Sequence, residues 1–474
     1  MSLKKNLISN FLLTASTIVF PLITLPYITR TLSAESIGKV FYVDSFTQYF
    51  ILFSAIGIPY YGVREIAKIK ANKQETSNLV VDLILIQFCL ALICCLLFYT
   101  LFLFFPKLSG FGTLVEIGCV GIISNAFLIE WYYQGVENFG YITARSLIIK
   151  LLSVLTILFF VKQINDYKIY YFILILTVTA NAVLNSLNFF TKAFYHYKLE
   201  RKILRHLKPL WILFSINIAI SLYTIMDTII LGSFTGSQEV SFYNIPLKIV
   251  KIFWTVMGGI GLVLIPRMST FFANKETLKT QELMKKSISI VAMLGIPFFV
   301  FTILFSNTIL TMISGTKYLK AASALQILGI VPLIIGICNV FGTQYLLAIG
   351  QERKILYATI VGFIVSIMLN FLLIPVLSYL GSSIACVVAE LSVCIVIFLY
   401  AKKTICIRVD YQLIKLICSS LAITICTWFI LRGDFDHLYL LAISFTVYML
   451  SLLFLNHLVF KNHFINSILR FSIK

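Results

Sequence analysis

Long apolar runs limit what this chain can fold into. About fourteen follow one another, each long enough for a helix to cross the ~30 Å of hydrocarbon in a bilayer. The first six lie between Asn6 and Phe194 and the next six between Leu207 and Tyr400. The last two are Leu413–Leu431 and Leu438–Phe460. Of the 474 residues, 60% are hydrophobic and 12% charged. A soluble chain carries about twice that charged share. A water-soluble core cannot hide so much apolar surface. Lipid is itself an apolar solvent, in which helices satisfy their own backbone hydrogen bonds. The predicted fold class is therefore all-α, a polytopic membrane protein. Lys4 and Lys5 precede an apolar stretch that runs on to about Leu32, too long for a signal peptide and right for a retained first helix.

The net charge of +19 would point to nucleic acid in a soluble protein. Here the basic residues sit in short gaps between apolar runs, with no basic domain to present to a polyanion. Nucleic acid is excluded as a partner. The same residues give the topology. With the N-terminus in the cytoplasm, the tails and even-numbered gaps hold roughly 27 Lys and Arg and the odd gaps roughly 8. Dropping one helix would invert that bias downstream, so both termini are expected inside. No gap is long enough to fold as a catalytic domain. Asp434 and Asp436, in a short outer turn, read as polar punctuation, and the chain is not expected to be an enzyme. All the cysteines except Cys406 fall inside apolar runs, with no CxxC or Cys/His cluster, so no metal site or disulfide framework is indicated.

A faint repeat divides the chain. Ile56-Gly57 recurs as Ile260-Gly261, and Gln134-Gly135-Val136-Glu137 is echoed by Ile349-Gly350-Gln351-Glu352. The spacing is six helices, an even number, so the halves would run parallel about an axis normal to the membrane. The predicted organisation is a lobe of helices one to six (1–200), a lobe of helices seven to twelve (201–405), and two further helices (406–474).

Charges placed where lipid would penalise them are the informative residues. A Lys, Arg or Asp at a helix centre costs about 2.5–3.5 kcal/mol on insertion scales. Lys248 and Lys251 lie three apart on one face of helix eight. Lys150 lies a third of the way into helix five, with Arg145 earlier on roughly that side. Arg30 ends helix one and Arg64 ends helix two. Interfacial anchoring is the simpler reading of Arg30, Arg64 and Arg145. Asp227 and Glu130 either pair with cations across helices or bind a coupling proton or Na⁺. Together the cations make a passage suited to an anion, because ammonium and guanidinium groups bind phosphate oxygens well. Pro21, Pro26, Pro59, Pro246, Pro266, Pro297, Pro332 and Pro375 interrupt or edge the helices, which is tolerated where they line a cavity.

Several segments resemble the Wzx-type oligosaccharide flippases, the O-antigen and capsule repeat-unit branch of the multidrug/oligosaccharidyl-lipid/polysaccharide exporter superfamily. They are Phe20-Pro21, Leu25-Pro26-Tyr27-Ile28-Thr29-Arg30-Thr31-Leu32, Ile37-Gly38, Phe41-Tyr42 and Glu130-Trp131-Tyr132-Tyr133-Gln134-Gly135-Val136-Glu137, with Ile142-Thr143 and Arg145. In the second half they are Asp227-Thr228-Ile229-Ile230-Leu231-Gly232 and Tyr243. The resemblance implies two six-helix lobes around a central cavity that opens alternately to either side. It implies export of undecaprenyl-diphosphate-linked oligosaccharide across the inner membrane, for O-antigen or other lipopolysaccharide and surface-polysaccharide synthesis. It also implies a polysaccharide polymerase and a chain-length regulator as partners, with membrane lipid around the chain. A lipid-linked peptidoglycan precursor is the alternative cargo, and a cation-coupled multidrug exporter the alternative function. No cofactor is implied beyond a coupling H⁺ or Na⁺. Moving about two diphosphate charges outward gains roughly 2.3 kcal/mol per charge per 100 mV, so the membrane potential favours export.

Overall fold

A computed structural model describes residues 3–106, 108–192, 194, 204–405, 410–432 and 437–457. Cys406, Asp434 and Asp436 lie outside the described residues. Those residues form seventeen α-helices, joined by turns and short 3₁₀ or π segments. They are α1 (Leu3–Thr31), α2 (Ala34–Ala55), α3 (Ile58–Ile69), α4 (Lys73–Phe104), α5 (Gly112–Ala126), α6 (Glu130–Gly135), α7 (Phe139–Phe160), α8 (Tyr167–Lys192) and α9 (Leu204–Phe234). Then come α10 (Ser237–Ala273), α11 (Thr277–Ser314), α12 (Ala322–Leu328), α13 (Val331–Asn339), α14 (Glu352–Leu377), α15 (Tyr379–Lys402), α16 (Tyr411–Leu431) and α17 (His437–Leu455).

Among the described residues, 12 stretches are long and apolar enough to cross a membrane. Two other long helices, α9 and α10, occupy the positions of the expected seventh and eighth spans. Some spans are built from several helices. The second is α2 and α3, broken where Ile56 (φ 36) and Gly57 (φ 79) take left-handed backbone before Pro59 restarts the helix. The fourth is α5 and α6, broken at Ile129 (φ 31). The tenth runs through α12, α13 and a π turn, Val340–Leu346. Phe104, Phe159, Val376 and Ile430 are exposed, as side chains facing lipid should be.

The chain separates into two compact units, Met1–Ser241 and Phe242–Lys474. In the first, α3 and α6 cross at two glycines. A Cβ on Gly62 would run into the Trp131 ring, and one on Gly135 would come 2.6 Å from Ile66 Cβ. Tyr61, Ile66, Leu79, Leu83, Trp131, Tyr133, Phe189 and Leu210 share one apolar cluster, so α9 packs here with α3, α4 and α6. Helix α9 also lies along α2. Helices α1 and α7 run parallel with a constant offset. Thr143 Oγ1 donates to the Ser9 carbonyl at 3.0 Å, Lys150 Nζ to Ser16 Oγ at 2.8 Å, and Tyr27 Oη to the Val161 carbonyl at 2.7 Å, each pair 134 residues apart. Two spans that run parallel are separated by an odd number of crossings, as the expected first and fifth are.

In the second unit α14 and α15 form a close pair. The last two helices dock on α11. Leu413, Leu416, Ile417, Leu421, Tyr448 and Leu452 pack with Ala292, Ile296 and Phe301, and Lys285 Nζ reaches Asp410 Oδ2 at 3.5 Å.

One of the two repeat echoes has a backbone counterpart. Asn138 N–H bonds the Tyr133 carbonyl at 2.8 Å across Glu137 (φ 60), and Gln351 N–H bonds the Leu346 carbonyl at 2.9 Å across Gly350 (φ 73). Both are six-to-one closures around a left-handed residue, the Schellman way of ending a helix. The other echo is not matched. Ile56-Gly57 breaks a span, whereas Ile260-Gly261 lies inside the uninterrupted α10.

Candidate functional site

The segment from α5 to α7 builds the most distinctive polar site in the first unit. Ile129 takes left-handed backbone at φ 31, which a β-branched side chain resists, and so α6 restarts at Glu130 on a new course. Glu137, left-handed at φ 60, reverses the chain into α7. This places Arg145, two turns into α7, against the start of α6. Arg145 Nη2 donates to Glu130 Oε1 at 2.6 Å. The arginine side chain is 4% exposed and the glutamate 33%. Arg145 Nε and Nη1 are buried and meet no acceptor among the described residues. Its guanidinium lies over the Tyr141 ring, 5.7 Å from the centroid, and Tyr141 Oη is anchored on the Leu184 carbonyl at 3.0 Å. Tyr133 Oη bonds the Asn185 carbonyl at 2.8 Å, and Asn185 Nδ2 donates to the Leu128 carbonyl. The aromatic wall is therefore fixed to α8.

A buried guanidinium with idle donors is costly, about 1–3 kcal/mol for each donor left without a partner. One carboxylate oxygen cannot use its fork, which is shaped for two-pronged contact with a carboxylate or phosphate. The arrangement is a fixed cation, partly neutralised by a more exposed and more easily displaced anion.

Lys150 is half-buried, its ammonium held by Ser16 and within electrostatic reach of Glu130. It does not share the side of Arg145. Five residues turn a helix by about 140° net, so Arg145 addresses α6 while Lys150 addresses α1. Arg30 is exposed at the far end of α1. The offset of 134 sets it level with position 164, nineteen residues beyond Arg145, or about 28 Å along the helices at 1.5 Å per residue. The two arginines mark opposite ends of one helix pair.

Arg64 is also exposed. Its Nε lies 2.9 Å from Glu65 Oε1, an oxygen that Lys68 shares at 2.9 Å, and its guanidinium is 5.6 Å from the centre of the Tyr61 ring. Lys70 at the end of α3 bonds Glu137 at 2.8 Å and pins the reversal before α7. That cation holds the Glu137 carboxyl below its ordinary value. Asp227 is buried in α9, beside Met226, whose sulfur accepts from Tyr49 Oη at 3.4 Å. Lys248 and Lys251 are half-buried in α10, in the second unit.

A second polar cluster escapes the sequence reading. His206 in the first turn of α9, Tyr61 on α3 and Asp82 on α4 are all buried and meet one another. Asp82 carries the same signal as Asp227, a carboxylate inside an apolar run. His206 lies among Arg201, Lys202, Arg205 and Lys208 and reads as part of a charged linker.

Comparison with known proteins places these features in a family. A protein named as an O-antigen transporter of Escherichia coli K12 is 24% identical over 409 residues, covering 85% of this chain and 97% of that protein. One of the same name from Shigella dysenteriae is 26% identical over 401 residues, covering 80% and 94%. Among solved structures, the lipid II flippase MurJ in an inward closed conformation covers 96% of this chain and all of its own, with TM-score 0.64 and 14% identity. An inward-facing multidrug resistance transporter of the MATE family covers 81% of this chain and 93% of its own, with TM-score 0.65 and 15% identity. Likeness at those identities establishes the fold, a polytopic helical membrane transporter fold. A MatE family model matches residues 213–372. The model of the polysaccharide biosynthesis protein family matches residues 3–272, more than half the chain and all of the Glu130–Arg145 site, and the chain belongs to that family.

Proposed function

We propose that this protein is a flippase that carries undecaprenyl-diphosphate-linked oligosaccharide from the cytoplasmic to the outer leaflet of the inner membrane, by alternating access, for O-antigen or another surface polysaccharide. The observation that carries the reading is Arg145, a buried guanidinium fixed by Tyr141 and Glu130 that keeps two donors idle. A diphosphate has the charge and the paired oxygens to occupy them and to displace Glu130. The names of the relatives support this cargo, O-antigen in two of them and glycan biosynthesis in a third, from Haloferax volcanii.

In this reading Arg64, Arg145 and Lys150 receive the head group near the cytoplasmic face. Lys248 and Lys251, on α10, are further candidate cations for the head group, and Arg30 is a candidate at the outer end of α1. Both termini are cytoplasmic. Glu130 is the gate ion, bound to Arg145 when cargo is absent, and Asp227 is the other acidic partner. The lobes are helices one to six and seven to twelve, with 406–474 accessory. A polymerase and a chain-length regulator act on the exported unit. Lipid-linked peptidoglycan precursor presents the same diphosphate and is the competing cargo.

Cells lacking the chromosomal copy and carrying Arg145→Gln test the reading. Surface polysaccharide should fall at least tenfold at normal protein levels. Full export would refute it, and loss of viability with normal surface polysaccharide would favour the peptidoglycan precursor.

A further inference from the structure

His206 is 3% exposed and Asp82 2%. His206 Nδ1 lies 2.7 Å from Tyr61 Oη. Its Nε2 lies 3.1 Å from Arg205 Nε and 3.8 Å from Asp82 Oδ2. Arginine only donates. Nε2 must therefore offer its lone pair to Arg205, and the single imidazole proton must sit on Nδ1, donated to Tyr61 Oη. The ring is neutral in this arrangement, with both nitrogens engaged. The Asp82 carboxylate waits just beyond hydrogen-bond range of Nε2.

The charged groups around the ring come from three helices. Arg205 approaches from α9, Arg64 and Glu65 stand on α3 beside Tyr61, and Asp82 comes from α4. Arg205 is exposed, so the site has an edge open to solvent, while Leu79, Leu83 and Leu210 belong to the apolar cluster that contains Tyr61.

We propose that His206 and Asp82 form a proton-binding site in which a proton taken from water replaces Arg205 as the partner of Nε2 and is shared with the Asp82 carboxylate. The chemistry is proton transfer alone. Hydronium gives its proton to the Nε2 lone pair and leaves as water, so one O–H bond breaks as the Nε2–H bond forms. The Arg205 hydrogen bond is lost, and the positive imidazolium repels Arg205 and attracts Asp82. Three helices feel the change, because Tyr61 already ties the ring to α3 and the new ion pair ties it to α4. Proton loading thus draws the first turn of α9 onto α4, and proton loss releases it. For transport the consequence is that the coupling ion is H⁺ and that it binds here. That consequence, unlike the site, rests on the flippase reading.

The test uses full-length protein with ¹⁵N-labelled histidine in lipid nanodiscs, titrated by NMR, with His206→Gln assigning the His206 signals. At alkaline pH the ring should carry its proton on Nδ1. Asp82→Asn should lower the titration midpoint, and Arg205→Gln should raise it, each by about one pH unit or more. The opposite signs keep a general loss of structure from mimicking the result. A neutral ring protonated on Nε2, or a midpoint unchanged in both variants, would overturn the site. In liposomes of the same protein, outward movement of diphosphate-linked glycan should depend on the proton gradient in wild type and lose that dependence in His206→Gln. Movement indifferent to the gradient would overturn the coupling. No movement at any pH, with the titration intact, would remove the flippase reading and leave the site standing.

Discussion

Arg145 Nη2 stands 2.6 Å from Glu130 Oε1, yet Nε and Nη1 of the same guanidinium meet no acceptor among the described residues. The pair is asymmetric in exposure as well, 4% against 33%. Removing the partner of a buried charge is more damaging than the pair is stabilising. Glu130→Gln should therefore lower unfolding stability by roughly 1–3 kcal/mol, less than for a fully buried pair because Glu130 is partly solvated. Thermal unfolding in detergent measures it. Added pyrophosphate or a diphosphate lipid should restore more of the loss in Glu130→Gln than it adds to wild type.

Lysine in place of Arg145 keeps the charge and loses the fork. Arg145→Lys should keep normal protein levels and retain only part of the export, on the order of a tenth, whereas Arg145→Gln should retain almost none. Equal export by the lysine variant and wild type would mean that charge alone is being read.

The parallel register of α1 and α7 makes a geometric prediction. Cysteines at Ser16 and Lys150, whose side chains are hydrogen-bonded at 2.8 Å, should crosslink with a short thiol reagent. A pair at Ser16 and Thr143, about two turns out of register, should crosslink far less.

Glu137 and Lys70 supply the pH dependence. The Lys70 ammonium holds the Glu137 carboxyl below its ordinary 4.5. The link is therefore complete above that value and is lost as the pH falls through the lowered one. Hydrogen exchange at the α6–α7 reversal should be insensitive to this carboxyl between pH 6 and 8, and should rise only as the pH falls below the ordinary carboxylate value. Lys70→Gln should raise it at neutral pH. Both side chains are well exposed, so high salt should have a similar effect.

Much of this architecture is legible in the sequence, because the bilayer leaves few choices. A run such as Leu79–Phe104 must be helical, as it is within α4. The Arg145–Glu130 pairing is half legible. Both charges stand out against apolar neighbours, but only the break at Ile129 turns α6 so that they meet. The one-sided reading of Arg145 and Lys150 fails on helix geometry, since five residues do not return to the same face. The placement of α9 beside α2 and α3 depends on tertiary packing, which hydropathy does not encode. His206 is hidden for the same reason. Among Arg and Lys it looks solvated, and only the fold buries it against Tyr61 and Asp82.

Arg145 is proposed to receive the diphosphate of a lipid-linked glycan. The most direct measurement of that role is outward flipping of a fluorescent undecaprenyl-diphosphate oligosaccharide in liposomes holding the purified protein, wild type beside Arg145→Gln. Wild type should flip it, the diphosphate lipid without its sugar should compete, and the variant should be at least tenfold slower. Equal rates in the two proteins would contradict the role.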